Sequence, residues 1–123
     1  MDRQEYTLEK ISYSRKEDCR IMKSVLNGWF KDPKTLNLVS SNLTFPFNFK
    51  EWVSKNYSCD PFPTISLVIK NRKWILGHIS LRVEKKTAHM FHLIIDEKFR
   101  RKGLAKKLIA EIESYCLSLE KTI

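Results

Sequence analysis

Apolar and polar positions change rhythm three times along this chain. From Tyr6 to Tyr13 they alternate, the pattern of a first strand. Ser14-Arg15-Lys16-Glu17 then reads as a capping box, the Ser14 hydroxyl bonding the Glu17 N–H. Behind it Ile21, Met22, Val25, Leu26 and Trp29 recur at helical spacing, so a first helix runs to about Gly28. Asp32-Pro33 supplies an N-cap and a proline at the first helical position, starting a short helix. Leu43 to Phe49 contains Pro46 and is expected to be irregular, with Asn48 capping a helix that carries Phe49, Trp52 and Val53.

After Pro63 the residues turn β-branched and apolar. Thr64–Ile69 and Trp74–Val83 read as strands joined at Asn71-Arg72, and Glu84-Lys85-Lys86-Thr87 turns the chain into a third, Ala88–Ile95. This predicts an antiparallel meander. The last change places Leu104, Leu108, Ile112, Cys116 and Leu119 three or four residues apart, a helical stripe facing the sheet. The expected organisation is one domain over residues 1–123, divided into 6–63, 64–95 and 96–121. A chain of 123 residues with 42% hydrophobic content suits that size.

The formal net charge is +9, and much of the excess falls at Lys98, Arg100, Arg101, Lys102, Lys106 and Lys107. A cluster centred on one turn favours a compact anion over a long polyanion. Binding of nucleic acid rests on net charge alone, since no recognition-helix pattern or interleaved basic-aromatic strand accompanies it. No apolar run approaches membrane-spanning length, and Met1-Asp2-Arg3-Gln4-Glu5 lacks a signal-peptide core, so a cytoplasmic protein without membrane contact is the default expectation. Cys19, Cys59 and Cys116 are odd in number and far apart, which excludes a disulfide framework or a metal knuckle and leaves buried thiols as the reading.

The chemistry concentrates where the apolar run Phe91–Ile95 delivers the chain into Arg100-Arg101-Lys102-Gly103 and the final helix. The first N–H groups of a helix lack intrahelical partners and lie at the positive end of its dipole, so they attract an anion. Gly103 has no Cβ to hold that anion away. The three basic residues add mobile charge. Together they make a cradle for a phosphate or pyrophosphate.

The order of helices, meander, basic glycine turn and long helix resembles the GNAT superfamily of acyl-CoA-dependent N-acetyltransferases. Arg100-x-x-Gly103-x-Ala105 is similar to that family's Arg/Gln-x-x-Gly-x-Gly/Ala pyrophosphate loop, and Ile95 stands five residues before Arg100, as the pattern requires. Trp74 to Leu81, with Gly77 inside, resembles the family's third strand. Trp29-Phe30-Lys31-Asp32-Pro33 is similar to a Trp-x-x-Asp-Pro segment of branches acting on protein N-termini or aminoglycosides. The resemblance covers about residues 6 to 123. It implies an α+β (α/β) fold with a mixed, mainly antiparallel sheet, flanking helices and a short C-terminal side.

The resemblance also implies roles. Acetyl-CoA would be the co-substrate, with no metal, and a primary amine the acceptor. Main-chain N–H groups from Arg101 through Lys102, Gly103, Leu104 and Ala105 to Lys106 would hold the pyrophosphate, and Arg100 and Arg101 would reach phosphates directly. Leu93 and Ile95 would offer main-chain groups to the pantetheine arm, as a sheet edge offers them to an added strand. His89 occupies the position where some branches carry a basic Glu, and imidazole suits that task chemically. A plain surface histidine is the other reading of His89. His92, three residues on, faces the opposite side of a regular strand and shares no metal with it. His78 reads as an ordinary strand residue, and Glu84 as a solvated hairpin residue. Phe30, Phe45, Phe47 and Trp52 are core aromatics or the lining of an acceptor pocket.

Family members usually continue past the motif helix into a fifth strand and often supply a Tyr that protonates the departing thiolate. Here Thr122-Ile123 is at most the first step of such a strand, and nothing corresponds to the Tyr. A non-catalytic module that binds CoA or a protein partner is therefore the alternative to an active transferase. The Ala88–Ile95 strand would become a long apolar sheet edge, which invites pairing with another chain. The expected outcome is self-association, or completion of the sheet by a separate chain. Light scattering at micromolar concentration is the check, and a clean monomer would refute it.

Overall fold

A computed structural model describes residues 5–58 and 63–119 of the chain. Cys59, Thr122 and Ile123, discussed above, lie outside the described residues. The described elements are β1 (Thr7–Ile11), α1 (Lys16–Trp29), α2 (Pro33–Val39), α3 (Phe49–Asn56), β2 (Thr64–Asn71), β3 (Trp74–Val83), β4 (Ala88–Ile95), a 3₁₀ turn (Glu97–Phe99) and α4 (Leu104–Ser118). They form two compact units, one of residues 1–11 with 64–123 and one of residues 12–63. The first strand thus belongs with the C-terminal sheet, although the helical segment separates them in sequence.

The helical unit begins differently from the capping-box expectation. Arg15 is the residue before the first turn of α1, and no side chain caps that turn. Ser14 instead donates its N–H to the Ser12 hydroxyl at 3.2 Å, while Asp18 accepts the Ser12 N–H at 2.9 Å. Asp18, at the third helical position, reaches back past Arg15 to Ser12, and the Arg15 N–H donates to the Ser12 carbonyl at 3.1 Å, so no capping box forms at α1. The other two caps are as expected: Asp32 accepts the Thr35 N–H at 2.9 Å, and Asn48 accepts the Glu51 N–H at 3.1 Å. Each satisfies a donor left over at a helix start. Met22, Leu26, Phe30, Leu36 and Trp52 are buried, and Ile21 of the α1 stripe is exposed. Aromatic rings knit this unit together: Phe30 and Trp52 lie 5.5 Å apart, Phe47 packs on both, and Tyr13 stacks 4.1 Å from Tyr57. Phe30 and Trp52 are therefore core residues, while Phe47 is half-buried and lines a surface pocket with Lys23, Asn27, Asn48, Phe49 and Lys50. Phe45 is 44% exposed and is not a core residue.

The sheet unit is an antiparallel meander in the order β1-β2-β3-β4. On one face Leu67, Ile69, Ile79, Leu81 and Ala88 pack with Leu104, Leu108, Ile112 and Cys116 of α4. The period-two pattern of the strands and the three-to-four-residue pattern of the helix meet there. Leu119 lies past the end of α4 and is exposed, so the stripe stops one residue short of its expected length.

Gly77 sets the spacing between β3 and β4. A Cβ built on it would sit 2.7 Å from Ile95 Cδ1 and 3.1 Å from both Ile69 Cγ2 and the Ile94 carbonyl. Overpacking of this kind costs about 1–3 kcal/mol, so Gly77→Ala lowers the thermal midpoint by roughly 5–10 °C. Gly28→Ala is the control, because its Cβ meets nothing within 4 Å and alanine favours the helix. Scanning fluorimetry in which Gly77→Ala melts with the wild type would disprove the close approach.

Candidate functional site

The chain leaves β4 through a tight corner. The Asp96 N–H donates to the Leu76 carbonyl at 2.8 Å, Asp96 accepts the Lys98 N–H at 3.0 Å, and the 3₁₀ turn follows. Arg101 then takes a φ of 66° and Gly103 a φ of 76°, both left-handed. Such turns gather successive N–H groups into anion-binding concavities. Gly103 is the residue before the first turn of α4, and no side chain caps that turn. A Cβ on Gly103 would meet nothing within 4 Å, so open space lies over the helix start. Leu104 is buried in the core and pins the first turn in place, leaving only its main chain for a ligand. Ala105 is half-buried, while Arg100, Arg101, Lys102 and Lys106 are exposed. Lys102 Nζ lies 5.8 Å from the centre of the Phe99 ring. Arg100 reaches back, donating its Nε–H to the Ile95 carbonyl at 3.3 Å, and so ties the turn to the end of β4.

Among the described residues β4 has a neighbouring strand on one side only. The bond from Asp96 to Leu76 fixes the alternation of its ladder, so Ile95 turns its N–H and C=O outward, away from β3. Leu93 lies on the same outward side and its side chain is 40% exposed. Between them and the hairpin the ladder slips. Ser80 pairs with Phe91 but His78 pairs with Ile94, so Ile79 faces both His92 and Leu93. This is a β-bulge, and His92 adopts a φ of 51° within it.

The three histidines separate by environment. His89 is exposed, and its Nε2 lies 3.2 Å from Glu84 Oε2, an acceptor that requires Nε2 to carry hydrogen. Nδ1 is then the basic nitrogen of the neutral ring. Glu84 is therefore more than a solvated hairpin residue, since it orients His89. His78 and His92 are buried. His78 Nδ1 lies 2.8 Å from the His92 carbonyl oxygen. Burial pushes His78 down to about 4, against the opposing pull of that carbonyl. His92 falls to about 3, mainly through burial and then through the His78 and Arg82 charges. Arg82 lies over the Phe91 ring, 4.9 Å from its centre, and its Nε is buried without a hydrogen-bond partner among the described residues.

The model of the acetyltransferase (GNAT) family matches residues 26–122, most of the chain. The chain belongs to the GNAT family.

No curated protein matches its sequence. Solved GNAT structures match its fold. A tandem GNAT protein from the clavulanic acid biosynthesis pathway superposes with a TM-score of 0.71 at 14% identity, over 95% of this chain and 34% of that one. This chain thus spans about a third of that protein's length. An aminoglycoside acetyltransferase from an uncultured soil metagenomic sample gives 0.61 at 15% identity, over 95% and 75%. Glucosamine-6-phosphate N-acetyltransferase from Arabidopsis thaliana gives 0.61 at 18% identity, over 97% and 80%. At these identities the likeness is one of fold.

The GNAT family uses acetyl-CoA, and the residues here fit its two ends. The space over Gly103 faces uncapped helix N–H groups, and the outward groups of Leu93 and Ile95 lie on the strand leading to it. Among the described residues no group of three His, Cys, Asp or Glu is placed to hold a metal, and no helix is long and apolar enough to cross a membrane. Cys19 is half-buried, its Sγ donating to the Tyr13 carbonyl at 3.1 Å, and Cys116 is buried. Sequence reasoning missed the bulge. No glycine marks it, and the unbroken run Phe91-His92-Leu93-Ile94-Ile95 hides the slip in alternation.

The two buried histidines make stability depend on pH. An unfolded chain protonates both below about pH 6.5, while the folded chain resists until about pH 4. Stability is complete above about 6.5 and falls as pH drops towards 4, by about 1.4 kcal/mol per pH unit for each histidine. Urea midpoints at pH 7.5, 5.5 and 4.5 measure this. A flat profile would show that neither ring is held neutral.

Proposed function

We propose that this GNAT protein transfers an acetyl group from acetyl-CoA to a primary amine by direct attack. The observation that carries the reading is the left-handed Gly103 at an uncapped helix start, with open space above it, at the end of a strand whose outer edge has no strand beside it among the described residues. Main-chain N–H groups from Arg101 to Lys106 bind the pyrophosphate, and the Arg100, Arg101 and Lys102 side chains add charge. The N–H and C=O groups of Leu93 and the N–H of Ile95 align the pantetheine arm. The Ile95 carbonyl is shared with Arg100, which links the two halves of the site.

In the reaction the amine nitrogen attacks the thioester carbonyl carbon, a C–N bond forms, the C–S bond breaks and the CoA thiolate departs. A base takes the proton released from nitrogen. His89, oriented by Glu84, is the residue proposed for that role, acting through Nδ1. Most of the acceleration in such a mechanism comes from holding amine and thioester together, with general-base help contributing about 10²–10⁴-fold. Primary amines of protein N-termini, lysines and small molecules are the acceptor class. The names of two similar structures, an aminoglycoside acetyltransferase and a glucosamine-6-phosphate N-acetyltransferase, support an amine acceptor.

Among the described residues the outer edge of β4 has no strand beside it, which supports self-association as well, since a second chain would pair with the same outward groups.

Calorimetry with acetyl-CoA, then with desulfo-CoA, tests the donor site, and thiol release across a panel of amines tests transfer. Gly103→Asp should lower affinity at least 100-fold without unfolding the chain. Asp tolerates left-handed backbone better than most residues, but its charge opposes the pyrophosphate. His89→Ala should lower kcat by about 10² with KM for acetyl-CoA unchanged. No binding by the wild type would refute the reading. Binding without thiol release from any amine would favour a non-catalytic CoA-binding module.

A further inference from the structure

The β4 bulge needs a reason to persist. His92 holds a φ of 51°, and left-handed backbone is costly for a residue that carries a Cβ. The hydrogen bond from His78 offsets that cost. A carbonyl oxygen only accepts, so His78 Nδ1, 2.8 Å from it, must carry the hydrogen. In the neutral ring Nε2 is then an acceptor. Ser80 Oγ lies 3.5 Å from Nε2, and Ser66 Oγ lies 2.8 Å from Ser80 Oγ. Ser66, His78, Ser80 and His92 are all buried. Ser66 and Ser80 thus line up behind His78, whose Nδ1–H donates to the His92 carbonyl.

That carbonyl belongs to the peptide joining His92 to Leu93. The peptide is planar and trans, so its N–H points opposite to its C=O. Drawing the His92 oxygen onto His78 turns the Leu93 N–H away from His78. This is one of the groups that the proposed function assigns to the acyl-CoA arm, so the inference rests on that reading. We propose that His78 is a positioning residue: it locks the bulge peptide and thereby aims the Leu93 N–H at the thioester and pantetheine end of acetyl-CoA. His78 touches no substrate in this scheme. Its effect is confined to one peptide and leaves the pyrophosphate turn alone.

The test compares wild type, His78→Asn and His78→Leu. Asn places an N–H the same number of bonds from the backbone as Nδ1, whereas Leu fills similar space without a donor. Calorimetry uses acetyl-CoA and adenosine 3′,5′-bisphosphate, the latter reaching only the nucleotide end. The expected result is at least tenfold weaker acetyl-CoA binding by His78→Leu, recovery by His78→Asn to within about threefold, and unchanged bisphosphate affinity in both. Equal acetyl-CoA affinity in His78→Leu overturns the proposal. So does parallel loss of both ligands, or a loss that Asn does not restore.

Amide spectra of the ligand-free proteins separate this proposal from the acetyltransfer reading. The Leu93 resonance should move, and its hydrogen exchange quicken, in His78→Leu but not in His78→Asn. If the wild type binds neither ligand the acetyltransfer reading falls, and an unchanged Leu93 resonance overturns the role of His78 by itself. The wild-type ring gives a further check that needs no variant. Nitrogen-15 spectra should show His78 protonated at Nδ1, and hydrogen at Nε2 alone overturns the proposal.

Discussion

The pairing of β3 with β4 is the constraint on which the rest of the structure depends. Gly77 lets the strands approach where any Cβ would strike Ile95 and the Ile94 carbonyl. The slip opposite Ile79 decides which β4 groups enter the ladder and which face outward. The bond from Asp96 to Leu76 closes the ladder and starts the corner that leads to Gly103. At the far side of that corner Leu104 is sunk among Leu67, Leu108 and the other core residues, so the helix start cannot drift. The edge proposed to receive the arm of a ligand and the cradle proposed to receive its phosphates are thus held at one separation by continuous backbone. Precision of that kind matters because transfer without a covalent intermediate depends on placing two reactants correctly.

The basic surface plays a different part. Exposed lysines and arginines each contribute little in a fixed geometry, because water and salt screen them. On the proposed reading their sum would draw anions in, while main-chain N–H groups would select where the anion stops. Arg100 is the exception among the side chains. Its bond to the Ile95 carbonyl makes it part of the scaffold as well as part of the charge.

Much of this was legible in the residues. The β-branched runs after Pro63, the turn at Glu84–Thr87 and the stripe from Leu104 to Cys116 follow from local residue patterns and appear where those patterns place them. The first hairpin instead turns at Arg72-Lys73, one residue later than expected, because Asn71 pairs with Trp74. The caps at Asp32 and Asn48 were legible because a single side chain satisfies a single donor. Ser14 misled because several hydroxyls and carboxylates compete there, and Ser12 with Asp18 won. The grouping of β1 with distant strands depends on pairing from Thr7↔Lys70 to Ile11↔Ser66, which no local window contains. The bulge, the buried His78 and the orientation of His89 by Glu84 were illegible for the same reason. Each is defined by a partner on another strand or across a turn.

The single row of outward groups on β4 has a further consequence. On the proposed reading an acyl-CoA arm and a second polypeptide would both need that row, which cannot serve the two at once. The two equilibria would then be linked, and occupancy by one would drain the other. Donor affinity would become a property of protein concentration as well as of the site, highest in dilute solution. The donor, in turn, would act as a solubiliser of the protein that uses it.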